Sequence, residues 1–421
     1  MKDTEAQTLH FDNDGRLVFT EQLKARWGLQ QGTAVLIRQT PLGLMLFPAD
    51  PPLGKVYIEP TSACNLSCRT CMRHSWSEPT GTMTMATFER LIEALRSVPS
   101  FHTMSFWGMG EPLLHPHIVA MVQAAKGLGA ETEMITNGLL LNADKTKGLV
   151  AAGLDRLVVS VDGTTSKAHA KNRTGADLET VKTNITALRR MRRDMGRENP
   201  EIGIEFVLMR RNLGEVQKLR SLASDLGASF IILTNVLPYT EELKDEILYW
   251  ISADRPWADG KSIWFPKISV PRFDARREYL EPLASLIWPT GGTAEPIQRV
   301  HRSPDNDGHC RFIEQGATVV AWDGEVSPCI ALMHSYRCFV LDREKTIKRY
   351  AVGNVAQEDI LQIWNKAEYK SFRKRVLDFD FAPCIHCGGC DFVESNEQDC
   401  HGNTFPTCGD CLWARNIIVC P

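Results

Sequence analysis

The sequence predicts an α/β protein built around a parallel sheet of six strands with crossover helices, open or curled into a partial (β/α)6 barrel, with a small β-rich amino-terminal domain and a cysteine-rich carboxyl-terminal domain. Three observations predict this class. Six apolar, β-rich stretches alternate with amphipathic helical stretches between residues 55 and 236. A hairpin-like pattern precedes them. Ten of the thirteen cysteines lie in the last 112 residues.

Length and composition are those of an ordinary globular protein. The chain has 421 residues, of which 43% are hydrophobic and 24% charged, and its net charge is -3. Such a balance gives no reason to expect nucleic-acid binding by bulk charge. No apolar run approaches about 18 residues and no signal-peptide pattern opens the chain, so we expect a soluble cytoplasmic protein without membrane contact.

Residues 1–52 form the predicted amino-terminal domain. The pattern over 15–48 predicts a strand, a short helix, a strand, a turn at Leu42-Gly43 and a last strand, and "ADPPLG" predicts a linker. The segment resembles the swapped-hairpin fold of AbrB-type transition regulators, which form intertwined DNA-binding dimers. With few basic residues here, the resemblance implies docking or dimerisation more than DNA binding.

Residues 53–240 form the predicted central domain. Its candidate strands are "KVYIE", "TMSFWG", "ETEMIT", "RLVVSV", "IGIEFVLM" and "FIILTNV", and its candidate helices span 84–97, 116–128, 142–152, 177–194 and 213–227. This alternation implies right-handed βαβ units and a parallel sheet, either open or curled into a partial barrel. In both cases ligands sit at the carboxyl ends of the strands.

Two further regions complete the predicted layout. Residues 241–305, rich in Trp, Pro and Arg, read as an irregular connecting segment. Residues 306–421 read as the cysteine-rich domain, with a hairpin in "ATVVAWDGEVSPC" and a helix near 357–377.

The loop after the first strand, "CNLSCRTC", holds Cys64, Cys68 and Cys71. A structural zinc or an electron-carrying iron–sulfur cluster takes four protein ligands. Three thiolates can hold three irons of a cubane cluster and leave the fourth open to a small molecule. The alternatives are a zinc loop whose fourth ligand lies elsewhere, or three unconnected thiols.

The C-x3-C-x2-C spacing at this place resembles the radical S-adenosylmethionine (SAM) superfamily. The resemblance implies that the free iron binds the amino and carboxylate groups of SAM. The reduced cluster of that superfamily cleaves SAM to methionine and a 5′-deoxyadenosyl radical, which abstracts a hydrogen from a substrate.

Motifs at the following strand ends extend the resemblance. "GMGEP" (108–112) resembles the superfamily's Gly-Glu-Pro element, and an acceptor-lined glycine loop suits an ammonium group. "ITNG" and "VSVDG" end the third and fourth strands, and "KNRTG" supplies an arginine whose fork suits a carboxylate. The residues that the resemblance assigns to SAM are Thr70, Gly108, Gly110, Glu111, Pro112, Asn137, Ser160, Asp162 and Arg173. Thr70 departs from the usual aromatic residue, although its backbone could still contact adenine.

The carboxyl-terminal cysteines have a second spacing signature. C-x13-G-x4-C, with "GNVAQEDILQIWN", resembles the SPASM extension, which implies one or two auxiliary 4Fe–4S clusters. The candidate ligands are Cys310, Cys329, Cys384, Cys387, Cys390, Cys400, Cys408, Cys411 and Cys420. Cys338 fits no spacing and reads as a buried or free thiol. The later run is C-x2-C-x2-C-x9-C, unlike the extension's C-x2-C-x5-C-x3-C, so the ligand map stays open, and zinc fits the C-x2-C pairs equally well.

The whole layout resembles the radical SAM maturases of tungsten-cofactor oxidoreductases. The resemblance implies a tungsten enzyme, its cofactor or a companion peptide as substrate, and an electron donor such as ferredoxin or flavodoxin. Two alternatives remain: crosslinking of a ribosomal peptide by the same chemistry, and a non-enzymatic iron–sulfur sensor that binds DNA through the amino-terminal segment. No general acid or base can be named without a substrate.

Overall fold

The computed structural model describes residues 10–27, 29, 34–40, 43–250, 267–287, 308, 310–385, 387 and 390–420. Its amino-terminal part contains β1 (His10–Phe11), β2 (Leu17–Val18), α1 (Glu21–Trp27), β3 (Val35–Thr40) and β4 (Gly43–Pro48). The strands pair antiparallel, β1 with β2 and β3 with β4. The predicted order of a strand, a short helix and a hairpin is confirmed, while Leu42 of the predicted turn lies outside the described residues.

The central domain contains all six predicted strands. The elements in chain order are β5 (Lys55–Ile58), β6 (Ser67–Cys68), α2 (Met85–Leu95), β7 (Thr103–Phe106), α3 (Ile118–Gly127), β8 (Glu131–Thr136), α4 (Ala143–Ala152), β9 (Arg156–Ser160), α5 (Ser166–Asn172), β10 (Arg173–Thr174), α6 (Leu178–Asp194), β11 (Glu201–Leu208), α7 (Leu219–Leu226) and β12 (Phe230–Asn235). A 3-10 helix, Arg210–Lys218, takes up the first part of the fifth predicted helix.

Six of these strands pair parallel in chain order: β5, β7, β8, β9, β11 and β12. Strands β5 and β7 are buried along their whole length, which explains their continuous apolar pattern. On α2, Phe88, Leu91, Ile92 and Leu95 are buried at helical spacing, and the Thr84 side chain caps its amino end. The carboxyl ends of the parallel strands therefore meet at one edge of the sheet.

The sheet continues beyond the six core strands on both sides. At one side β13 (Lys267–Ser269) pairs parallel with β12, and at the other β14 (Ala317–Val320) pairs parallel with β5. Strands β15 (Glu325–Ser327) and β18 (Gly353–Asn354) follow β14 in antiparallel order. The carboxyl-terminal domain thus shares the sheet of the core.

The segment 241–305 is less irregular than predicted. Besides β13 it holds α8 (Arg277–Ile287), so the prediction is wrong for this stretch. Strand β13 has only three residues, and Pro282 lies inside the helical pattern that the buried residues Tyr279, Leu283 and Leu286 form in α8. Residues 251–266 and 288–305 lie outside the described part.

The cysteine-rich domain contains α9 (Arg311–Glu314), the hairpin β16 (Tyr336–Val340) and β17 (Arg343–Ile347), α10 (Ile360–Trp364) and α11 (Ala367–Asp378). The predicted hairpin is confirmed as β14 and β15, and the predicted helix is divided into α10 and α11. Within the described ranges, no helix has both the length and the apolar composition needed to cross a membrane.

Candidate active site at the carboxyl ends of the strands

A cavity of about 220 Å³ opens at the carboxyl ends of the core strands. Most of the residues predicted to hold the first cluster and SAM line it: Cys64, Cys68, Thr70, Cys71, Gly108, Gly110, Glu111, Asn137, Ser160 and Arg173. Pro112 and Asp162 are not among the lining residues. The carboxyl ends of β5, β7, β8 and β9, together with Arg173 of β10, therefore supply one site.

The three cysteines are held by hydrogen bonds within and beyond their loop. The Leu66 amide donates to Cys64 Sγ at 3.4 Å, and Arg73 Nε donates to Cys71 Sγ at 3.2 Å. Burial raises the pKa of Cys68 to about 11, although the nearby Arg173 guanidinium opposes this effect. Ionisation of the Cys68 thiol is therefore favoured by a nearby positive charge, which iron bound by the loop's sulfurs would supply.

Arg173 is held next to the cysteine loop by backbone pairing and by an ion pair. Strand β10 pairs antiparallel with β6, so that Arg173 is opposite Cys68. Arg173 Nε lies 2.7 Å from Asp162 Oδ2, and Asp162 Oδ1 accepts from the Val207 amide at 2.9 Å. Burial disfavours the Arg173 charge, but the Asp162 carboxylate raises its pKa above the ordinary value. Asp162 therefore orients the guanidinium from behind the cavity wall.

The glycine loop is packed against the chain that leads into the cysteines. A β-carbon at Gly110 would lie 2.1 Å from the carbonyl oxygen of Thr61, and one at Gly108 would lie 2.4 Å from Cγ of Glu59. The Glu111 amide donates to the carbonyl oxygen of Ala63 at 2.8 Å. Only glycine allows this close approach of the two loops.

Glu111 is a buried carboxylate that joins two strand ends. It accepts from Thr136 Oγ1 at 2.7 Å, from the Asn137 amide at 2.8 Å and from the Leu113 amide at 3.1 Å. Burial raises its pKa, and these hydrogen bonds act in the opposite direction. Pro112 begins the short 3-10 turn that follows and is buried.

Several lining residues were missed by sequence reasoning. Glu205 accepts a hydrogen bond from Ser160 Oγ at 3.1 Å. The signal for it in the sequence was a buried carboxylate between the apolar residues Ile204 and Phe206 of β11. The other side of the cavity comes from the end of the chain: Trp413, Ile418, Val419 and Cys420. The Val419 amide donates to Thr234 Oγ1 and Asn235 Nδ2 donates to the Ile417 carbonyl oxygen, both at 2.9 Å, which fixes this segment to β12. No local pattern could reveal this contact.

Four carboxyl-terminal cysteines come together next to this cavity. Burial, followed by the charge of the Cys411 thiolate, raises the pKa of Cys310 to about 12. Burial also raises the pKa values of Cys329 and Cys408, and the charges of neighbouring cysteines, Cys310 and Cys411 among them, raise them further. A second cavity, of about 50 Å³, is lined by Cys329, Cys408 and Cys411 and also by Cys338. Trp413 lines both cavities.

A second set of cysteines lies closer to the surface. Cys384 is buried, whereas Cys387, Cys390 and Cys400 are exposed. Burial raises the pKa of Cys384 to about 11, and the Cys400 thiolate is among its charged neighbours. Burial raises the pKa of Cys420, and Cys411 of the buried set is among its charged neighbours. Trp413 Nε1 donates to the sulfur of Cys420 at 3.0 Å.

Across the described part of the chain, no three His, Cys, Asp or Glu side chains converge on a point that could hold one metal ion. The ligands of a cubane cluster bind different irons, so their sulfurs need not converge. The residues of the large cavity fit such a cluster and SAM: the three thiols of the cysteine loop, buried acceptors and the buried Arg173 guanidinium line it, together with Arg73 and the Cys420 thiol.

Comparison with known proteins defines the class. A family model for the radical SAM superfamily matches residues 58–223, and one for the SPASM iron–sulfur cluster-binding domain matches residues 310–391. The chain belongs to the radical SAM superfamily as an enzyme that carries a SPASM domain, and its cofactors are SAM and 4Fe–4S clusters.

Individual relatives show which radical SAM enzymes the chain is similar to. The chain is 29% identical over 369 residues to the tungsten-containing aldehyde ferredoxin oxidoreductase cofactor-modifying protein of Pyrococcus furiosus, covering 87% of this chain and 96% of that one. It is 29% identical over 196 residues to PqqA peptide cyclase of Gluconobacter oxydans, covering 46% of this chain and 52% of that one. Among solved structures, SuiB of Streptococcus suis bound to S-adenosylmethionine has a TM-score of 0.53 at 17% identity, over 81% of this chain and 72% of that one, which shows the same fold.

Proposed function

We propose that Cys64, Cys68 and Cys71 hold the first 4Fe–4S cluster and that the remaining cavity lining holds SAM against its open iron. The cluster and SAM together supply a 5′-deoxyadenosyl radical. The support is the cavity itself, in which the three thiols of one loop face buried carboxylate, amide and guanidinium groups, while the thiol of Cys420 lies on the other side of the cavity.

The polar lining suits the parts of SAM. Acceptors on Glu111 and Asn137 suit the ammonium group, and the guanidinium of Arg173 suits the carboxylate. The ion pair with Asp162 uses Nε of Arg173 and leaves its two terminal nitrogens for that carboxylate. Ser160 and Glu205 suit ribose hydroxyls, and the backbone at Thr70 suits adenine. Asp162 positions Arg173, and Pro112 supports the glycine loop.

The far side of the cavity is suited to excluding water. Trp413, Ile418 and Val419 form an apolar wall there, fixed to β12 by the hydrogen bonds described above. A dry wall protects reactive species from solvent.

We propose two auxiliary clusters in the carboxyl-terminal domain. The buried set would use Cys310, Cys329, Cys408 and Cys411, and the surface set Cys384, Cys387, Cys390 and Cys400. The charge interactions within the first set and the Cys384–Cys400 interaction support this division. It leaves Cys338 and Cys420 outside the two sets, so the predicted ligand role of Cys420 remains a prediction.

The reaction we propose is maturation of a tungsten-containing oxidoreductase, of its cofactor or of a companion peptide. The observation that carries this is the match to the cofactor-modifying protein over nearly the whole of both chains. Peptide crosslinking is the second candidate, because a peptide cyclase matches about half of each chain. We also propose a ferredoxin or flavodoxin as electron donor and the amino-terminal segment as a docking or dimerisation module.

The first experiment tests the cofactor site. Anaerobic protein reconstituted with iron and sulfide should release 5′-deoxyadenosine from SAM under dithionite. Cys64→Ala should abolish this release and lower the iron content by about four per chain. If Cys64→Ala still releases 5′-deoxyadenosine, the assignment of Cys64 to the first cluster is refuted. If the wild type releases none and instead retards DNA in a salt-dependent gel-shift assay, the DNA-binding iron–sulfur sensor is favoured.

The second experiment tests the substrate. The reconstituted enzyme, SAM and a donor are incubated with a tungsten oxidoreductase isolated from cells lacking this gene, and separately with peptides encoded beside the gene. A gain of oxidoreductase activity supports maturation. A mass loss of two hydrogens in a peptide, without that gain, supports crosslinking instead.

A further inference from the structure

A fully buried histidine joins the carboxyl-terminal domain to both loops of the SAM site. His334 Nε2 lies 2.9 Å from Glu59 Oε2, and His334 Nδ1 lies 2.7 Å from Glu78 Oε2. Glu59 directly follows β5, and Glu78 lies just beyond the three cysteines. The His334 and Glu59 side chains are 1% and 0% exposed. Because each ring nitrogen faces a carboxylate oxygen, both carry a proton and the ring is positively charged.

Glu59 also contacts the glycine loop. Its second oxygen, Oε1, accepts from the Met109 amide at 2.9 Å, between the two glycines of that loop. The Glu59 side chain also fills the space that a β-carbon at Gly108 would need. The carboxylate is therefore a rigid support beneath the loop that carries Glu111, and His334 holds its charge in place.

Glu78 belongs to the segment that follows the cysteine loop, and this segment contacts the carboxyl-terminal domain. Glu78 Oε1 accepts from the Ser335 amide at 2.6 Å, and the Arg337 amide donates to the Ser75 carbonyl oxygen at 3.1 Å. The Trp76 ring meets the His334 ring edge-on, with centroids 4.4 Å apart. The chain leaving Cys71 is thus fixed to residues of the carboxyl-terminal domain.

We propose that His334 is a positioning residue for SAM: through Glu59 and Glu78 it sets the spacing between the glycine loop and the cysteine loop. This inference rests on the proposed SAM site. It gives the carboxyl-terminal domain a role in the first reaction that is separate from its auxiliary clusters.

The test uses the reconstituted full-length enzyme and measures the Kd of SAM from the change that SAM causes in the EPR signal of the reduced cluster. His334→Gln should raise this Kd, and the KM of SAM, by about tenfold or more, since it leaves the Glu59 charge buried without its partner. The kcat at saturating SAM should change much less, and the iron content should equal that of the wild type. His117→Gln, at an exposed histidine outside these loops, is the matched control.

A double variant distinguishes positioning from a general loss of structure. Glu59→Gln removes the buried charge but keeps an oxygen for the Met109 amide, so Glu59→Gln/His334→Gln should recover a Kd within about threefold of wild type. If His334→Gln fails to fold, the Kd of SAM is measured for Glu78→Gln instead. Glu78 is the more exposed of the two carboxylates, so this variant should raise the Kd by less than is expected for His334→Gln. A Kd within twofold of wild type in the folded single variant overturns the proposal. Failure of the wild type itself to release 5′-deoxyadenosine overturns the proposed function instead.

Discussion

Arg173 lies directly opposite Cys68 in the antiparallel pairing of β6 with β10. The next residue on each side extends the contact, because the Arg69 amide donates to the Asn172 carbonyl oxygen at 3.0 Å. Two loops that are far apart in sequence are therefore joined through their backbones. The backbone pairing therefore holds the group proposed for the SAM carboxylate in register with a proposed cluster ligand.

This pairing predicts the result of Arg173→Lys. A lysine at this position cannot reach Asp162 and also present two parallel donors to a carboxylate. We expect the KM of SAM to rise about tenfold or more while the cluster content stays unchanged, measured as initial rates of 5′-deoxyadenosine release. Arg190→Lys changes an arginine that is 79% exposed and should behave as wild type. An unchanged KM in Arg173→Lys would contradict the assignment.

The sequence predicted the part of the site that is local to strand ends. Asn137 directly follows β8 and Glu111 lies in the loop after β7, so strand alternation alone places them at one edge of the sheet. Asp162 was also placed near the site, yet it lies behind Arg173 and contacts that side chain. The place of Trp413 and Cys420 in the wall of this cavity was not predicted, although Cys420 was named as a candidate ligand of an auxiliary cluster. Their position depends on contacts between the end of the chain and β12. The role of Glu59 could not be predicted for a similar reason, since its partner His334 lies in another domain.

The close contact of the glycine loop predicts a severe effect of Gly110→Ala. The added β-carbon would lie 2.1 Å from a backbone oxygen, so one of the two loops has to move. A displacement of about 1 Å in a reacting geometry costs roughly a hundredfold in rate, and we expect at least that loss in 5′-deoxyadenosine release.

The matched control for this prediction is Gly214→Ala. A β-carbon at Gly214 would meet no atom within 4 Å, so this variant should keep the activity and thermal stability of the wild type. Equal activity of Gly110→Ala and Gly214→Ala would show that the two loops are not held as closely as the structure indicates.

The two cysteine sets predict separate losses of iron. Wild type should hold about twelve irons per chain, and Cys408→Ser and Cys400→Ser should each lose about four while keeping the SAM-responsive EPR signal. Cys338→Ala, at the buried cysteine outside both sets, should keep all of them. If the wild type instead contains only the iron of the first cluster, together with bound zinc, the two cysteine sets are structural zinc sites.

The charged His334 predicts a stability that depends on pH. Burial by itself lowers the pKa of His334, but its hydrogen bonds to Glu59 and Glu78 prevail and raise it from 6.5 to about 9. Its contribution is therefore complete below about pH 6.5 and is lost as the pH rises through about 9, a change on the order of 3 kcal/mol. The midpoint of thermal denaturation of the anaerobic holoprotein, followed by circular dichroism, should fall between pH 6.5 and 9.5 more steeply in wild type and in His117→Gln than in His334→Gln. Arg349, 4.0 Å from Glu78, keeps its charge over this range and cannot produce the difference. Parallel curves for all three proteins would show that His334 is not held in its charged form.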